Sequence, residues 1–107
     1  PGVETLYPAR FMLVVTPVSE SQRDVIPAVT HVDGSARVQT VVREWSPKYH
    51  ELIRRFGEAT GVPVLLNTSF NLRGEPIVNT PAEAYETFAR SGMDYLVLGN
   101  HLIGKDM

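Results

Sequence analysis

Two helix starts of the same kind set the frame for this chain. Ser46-Pro47 and Thr80-Pro81 each put a hydroxyl residue at an N-cap and proline at the first helical position, and Glu83 completes a capping box with Thr80. After Ser46, the residues Tyr49, Leu52, Ile53 and Phe56 recur at i, i+3, i+4 and i+7, one apolar stripe, and Gly61 supplies the stop. After Thr80, the stripe is Ala84, Tyr85 and Phe88, and Gly92 is the stop. Strand-length patterns surround these helices. Residues 11–18 (FMLVVTPV) are a continuous apolar run, and residues 28–33 (AVTHVD) alternate. Asp33-Gly34 signals a hairpin turn into a return strand over residues 36–42 (ARVQTVV). In that strand Ala36, Val38, Thr40 and Val42 share one face, and Arg37, Gln39 and Val41 take the other. Residues 62–68 (VPVLLNT) have a buried-strand pattern and residues 75–78 that of a short strand. Residues 95–98 (YLVL) form a last buried strand, continued over 101–104 beyond the Gly99-Asn100 turn. The predicted order, β-β-β-α-β-β-α-β, is that of an α/β fold with a mixed sheet, part antiparallel and part parallel. A chain of 107 residues fits one domain, 1–107, with one core.

Charge and composition remove several function classes. The net charge is −2 with both signs mixed, so no broad pull toward nucleic acid or a membrane surface is expected. The absence of cysteine excludes disulfides, thiolate zinc sites and cysteine nucleophiles, and suits a cytoplasmic location. No stretch approaches the roughly 20 apolar residues of a membrane helix, and the start has neither the basic region nor the apolar run of a signal peptide. His31, His50 and His101 share no metal-ligand spacing, so no metal site is expected. Arg54 and Arg55, with Glu51 and Glu58 at helical spacing, form a solvated face. Trp45, just before the first helix, is expected to pack as a lid on the core.

The most informative stretch is residues 63–76 (PVLLNTSFNLRGEP). An apolar strand runs abruptly into Asn67, Thr68, Ser69, Asn71 and Arg73, which carry amide, hydroxyl or guanidinium groups. Short amides and hydroxyls turn easily and present donors, and Arg73 brings a planar cationic fork suited to phosphate or carboxylate. Gly74 permits close approach of backbone to ligand or a positive φ. The end of a buried strand is also where open α/β sheets place ligands. Two readings stand: an anion or nucleotide cradle, or a polar turn whose side chains cap their own backbone. Arg37 likewise is either an anion ligand or a solvated edge residue that discourages strand pairing.

Residues 26–41 (IPAVTHVDGSARVQTV), 61–71 (GVPVLLNTSFN) and 73–78 (RGEPIV) resemble hallmark segments of the NodU/CmcH carbamoyltransferase family. So does the tail from Thr80-Pro81 to the segment 94–99 (DYLVLG). The resemblance implies a YrdC-like domain at the C-terminal end of a longer enzyme, and the chain is expected to be a fragment of one. It implies that this part binds ATP and carbamoyl phosphate, both as substrates, and forms carbamoyl adenylate. An N-terminal Kae1-like domain of the same polypeptide, holding the metal, would then pass the carbamoyl group to a hydroxyl of a nodulation-signal or antibiotic acceptor. No segment here matches that domain's metal motif.

YrdC-type proteins carry Thr-Ser-Ala-Asn-x-Ser-Gly-x-Pro in the nucleotide site. Residues 68–76 (TSFNLRGEP) follow it, with Phe70 for the alanine and Arg73 for the second serine. The resemblance carries over to Ser69 and Asn71, while Arg73 enters on its charge alone; with Arg37 these give the expected catalytic set Arg37, Ser69 and Asn71, and Asn67, Thr68, Arg73 and Gly74 complete the substrate and nucleotide set. Arg37 would hold a phosphate or the carbamoyl phosphate anion; Ser69 and Asn71 would bond phosphate or carbamoyl oxygens. The family's lysine-arginine clamp has no counterpart here, Arg10 being the nearest basic residue. Two alternatives are an RNA-binding module and a docking domain without chemistry; a homodimer is left open.

Overall fold

Pro47 and Pro81 open helices where the sequence places them. In a computed structural model, which describes residues 7–106, α1 spans Pro47–Thr60 and α2 spans Pro81–Arg90. Four short strands accompany them: β1 (Val14–Pro17), β2 (Ser35–Val38), β3 (Tyr95–Leu98) and β4 (His101–Gly104). The class is the expected α/β, with two helices and small antiparallel sheets. The chain divides into two units, one ending at Leu66 and the other beginning at Asn67. Each is described by itself.

In the first unit, β1 and β2 pair antiparallel, with Val14 opposite Val38 and Pro17 opposite Ser35. The partner of β2 is therefore β1, and residues 28–33 are not the strand the alternation predicts. Pro27 starts a 3-10 turn, Pro27–Val29, closed by Thr30 N donating to the Pro27 carbonyl (3.2 Å) and by Thr30 Oγ1 donating to Ile26 O (2.8 Å). The chain then reverses through His31–Gly34, where Gly34 N donates to His31 O and Asp33 Oδ1 accepts from Ser35 N (2.9 Å) and Ser35 Oγ (2.6 Å). Those bonds hold the Asp33 carboxyl below the usual range, Ser35 being the chief cause. The run over residues 11–18 also shortens. Tyr7–Phe11 is a 3-10 turn and Met12 has φ 59, a left-handed backbone that an extended strand cannot contain.

Helix α1 ends at Gly61, whose φ of 81 makes it the left-handed cap, with its N–H on the Gly57 carbonyl (2.7 Å). The Ser46 side chain makes no cap bond. The expected stripe buries little in this unit: Leu52 and Phe56 are exposed, Tyr49 and Ile53 half-buried. On the polar face, Arg54 bridges Glu51 and Glu58, and Arg55 reaches Glu51 (2.9 Å). Residues 62–66 return from the helix as an irregular segment. Pro63 gives no ladder donor, Val64 N turns back to Val62 O (2.9 Å), and Val64 and Leu66 are exposed. The predicted strand over 62–68 does not form, nor does the short one at 75–78.

The second unit is organised by α2. Thr80 Oγ1 accepts from Glu83 N (3.2 Å), as a capping box requires, but the Glu83 carboxylate accepts from Asn79 N (2.8 Å), one residue further out. The helix stops at Arg90, not at Gly92, with Ser91 as its C-cap. Ala84, Thr87 and Phe88 are buried; Tyr85, expected in the stripe, is 55% exposed. The β3–β4 hairpin pairs Leu98 with His101 and Tyr95 with Gly104. Leu96 joins Ala84 and Phe88 as the core, and Phe70, Val78, Leu98 and Ile103 pack against it. The opposite face of the hairpin, Tyr95, Val97 and Leu102, is exposed.

Candidate functional site

Arg37 stands on β2 opposite Val15, and both are exposed, while Ala36 beside it is buried. The alternation that placed Arg37 off the apolar face holds. The open face of this ribbon therefore carries one guanidinium among apolar side chains, Leu13 and Val15.

The loop over residues 67–74 belongs to the second unit. Asn67, Thr68, Ser69 and Arg73 are exposed, and Asn71 is half-buried. Phe70, the departure from the YrdC-type alanine, turns inward and packs on the core of α2 and β3. It anchors the loop at its midpoint and leaves the Thr68 and Ser69 hydroxyls before it and Arg73 after it at the surface. Val78 N donates to Phe70 O (2.8 Å), and Glu75 N to Leu72 O (3.0 Å), so the loop closes on itself. The Asn71 amide spans the inside of that closure: Nδ2 donates to Leu72 O (3.2 Å) and Glu75 O (3.0 Å). Both acceptors are carbonyls, which fixes the amide nitrogen on that side. Gly74 has φ 83 with open space where a Cβ would stand, so the turn needs glycine for its dihedral and not for close approach. The two readings of the polar stretch thus fall on different residues. Asn71 caps its own backbone; Thr68, Ser69 and Arg73 face solvent.

Sequence reasoning missed two features. Arg90, at the end of α2, holds Glu75 with two parallel bonds, 2.8 and 2.9 Å. The pair is 15 residues apart, a spacing with no periodic signature. Arg90 keeps the Glu75 carboxyl below its ordinary range. The second feature is in the first unit. Trp45 is not a lid on the core: it is 54% exposed and meets Tyr7 and Phe11 at ring distances of 5.9 and 6.2 Å. The Arg10 guanidinium lies 4.7 Å from the Trp45 ring. A cavity of about 140 Å³ opens beside them, with Gln39, Thr40 and Ser46 in its wall, and none of the expected site residues lines it. Among the described residues, no group of three or more His, Asp or Glu side chains gathers as a metal site would, and no helix is long and apolar enough to cross a membrane.

Arg37 and the polar side chains Thr68, Ser69 and Arg73 are thus exposed, each within its own unit. The Carbamoyltransferase C-terminus family model matches residues 3–105. The chain belongs to the carbamoyltransferase C-terminal family. Within this group it is similar to Nodulation protein NolNO of Sinorhizobium fredii, 54% identical over 95 residues, 89% of this chain and 14% of that protein. It is also similar to the 3'-hydroxymethylcephem-O-carbamoyltransferase of Amycolatopsis lactamdurans, 41% identical over 90 residues, 84% of this chain and 17% of that protein. Nodulation protein U of Rhizobium tropici is 40% identical over 79 residues, 74% of this chain and 14% of that protein. The match spans 14–17% of the length of these curated relatives.

Proposed function

We propose that this chain is the ATP- and carbamoyl-phosphate-binding part of an O-carbamoyltransferase. The observation that carries the reading is the 67–74 loop: within a carbamoyltransferase C-terminal sequence, its hydroxyls and Arg73 stay exposed although Phe70 between them is drawn into the core. Arg37 holds a phosphate or the carbamoyl phosphate anion. Ser69 and Thr68 donate to phosphate or carbamoyl oxygens, with Asn67 and Arg73 beside them. The Asn71 donors are engaged by Leu72 and Glu75, so Asn71 offers its carbonyl oxygen, which suits the NH2 of a carbamoyl group better than a phosphate oxygen. Water first cleaves carbamoyl phosphate to carbamate and inorganic phosphate; attack of the carbamate oxygen at the α-phosphorus of ATP then forms carbamoyl adenylate and expels pyrophosphate. That step needs positioning and charge stabilisation, and no protein nucleophile. Transfer to a hydroxyl falls to a Kae1-like domain of the same polypeptide, with its metal. That domain would also cover apolar faces open here, such as Leu52 and Phe56 on α1.

An NMR titration tests the assignment. The 107-residue chain should bind ATP or carbamoyl phosphate no tighter than about millimolar, on the order of −4 kcal/mol, because part of the charged shell lies elsewhere. Shifts should map to Arg37 and residues 67–74, and the Ser69→Ala, Asn71→Ala double variant should lose them. Shifts confined to distant residues would contradict the site.

A further inference from the structure

We propose that the Glu75–Arg90 pair is a clasp that positions the substrate loop. The inference rests on the loop being the nucleotide site, as proposed above.

The closure of the loop depends on Glu75 twice. Its carbonyl accepts from Asn71 Nδ2 (3.0 Å) and its N–H donates to Leu72 O (3.0 Å). Its carboxylate takes both bonds of the Arg90 fork. Glu75 therefore joins the inner brace of the loop to the last turn of a helix whose preceding turn, at Ala84 and Phe88, is fixed in the core. Phe70 pins the middle of the loop to that core, and the clasp fixes its far end. Between the two anchors lie Asn71 and Gly74, and Ser69 directly precedes the first. A bidentate arginine–carboxylate pair sets orientation as well as distance. Its exposure, 46% for the Arg90 side chain and 40% for Glu75, makes it a weak contributor to folding stability. What it restricts is the loop. Glu75 and Arg90 are positioning residues acting through Asn71 and the loop backbone. Glu86, one turn before Arg90, also favours the arginine charge, so an exchange of the two clasp residues has one unfavourable neighbour.

The test uses the full-length polypeptide that carries this sequence, with two readouts. Hydrogen exchange should show residues 71–75 exchanging at least about fivefold faster in Glu75→Gln and in Arg90→Gln, with the Phe88 amide unchanged. In ATP–pyrophosphate exchange driven by carbamoyl phosphate, each variant should raise the KM for ATP about three- to tenfold with kcat within about twofold. The double variant Glu75→Arg, Arg90→Glu should return KM to within about threefold of wild type. Unchanged loop exchange in the single variants overturns the clasp. Faster loop exchange with unchanged KM overturns its positioning role, and so does a raised KM that the reversed pair fails to lower. A wild-type protein with no ATP–pyrophosphate exchange defeats the nucleotide reading instead, a result separable from the amide data.

Discussion

Asn71 shows how one side chain can serve two descriptions. Its type and place pointed to ligand binding, and its amide nitrogen is engaged by two carbonyls of its own loop. Substitution by alanine therefore loosens the loop as well as removing a polar contact, so Ser69→Ala is the cleaner probe of ligand contact. We expect Ser69→Ala to weaken the ATP-induced shifts while leaving amide exchange over residues 71–75 as in wild type; Asn71→Ala should accelerate that exchange. Equal exchange in the two variants would contradict the bracing role. Gly57 gives a second test at this scale. Glycine inside an exposed helix costs about 1 kcal/mol relative to alanine, so Gly57→Ala would ordinarily stabilise. Here the new Cβ would stand 2.6 Å from Pro63 Cβ and 3.0 Å from its Cα. Steric strain of that kind costs about 1–3 kcal/mol and should outweigh the gain, lowering the denaturation midpoint. A higher midpoint would mean that Pro63 does not approach the helix so closely. The role of Gly57 was not legible, because it depends on Pro63 six residues away; for Asn71 the sequence offered both the ligand and the backbone-capping readings and did not choose between them.

At the level of elements, what was legible is what is local. Both helices, the Gly61 cap, the strand over residues 95–98 and the turn after it follow signals contained in a few consecutive residues, whereas the pairing of β4 back on β3 was not part of the expected order. The misread strands, over residues 28–33 and 62–68, were apolar patterns next to Pro27 and Pro63, and a strand exists only where a partner edge pairs with it. The pairing of β2 with β1, across a long connection, was invisible for the same reason. Thr80→Ala should cost about 1 kcal/mol in chemical denaturation through loss of the Glu83 N–H bond; unchanged stability would remove Thr80 as the cap. Helix α1 responds to pH through Glu51, which Arg54 and then Arg55 pull from 4.5 to about 2. A lowered carboxyl stabilises the folded state above its unfolded pKa and loses that contribution as the pH falls through its folded value. The α1 amide protections should therefore hold from neutral pH to about 4.5 and decline toward 2. Decline already complete at pH 5 would show that the arginines do not hold Glu51.

For the whole molecule, what was legible in the sequence is the family. The hallmark segments lie in order along the chain, and the carbamoyltransferase C-terminal match spans residues 3–105. What the sequence did not show is which apolar residues stay exposed. Leu13 and Val15 beside Arg37, Leu52 and Phe56 on α1, and Tyr95, Val97 and Leu102 on the hairpin are exposed. Within each unit the proposed anion groups share that exposure. Arg37 lies off the buried face of β2, so removing its side chain should leave the fold intact. Its loss should remove a charge-assisted contact worth roughly 1.5–3 kcal/mol. The decisive measurement is ATP–pyrophosphate exchange driven by carbamoyl phosphate, in the full-length polypeptide, for wild type and Arg37→Ala. The account predicts an active wild type and a variant reduced about 10- to 150-fold in efficiency, with an unaltered thermal midpoint; wild-type exchange in the variant would contradict it.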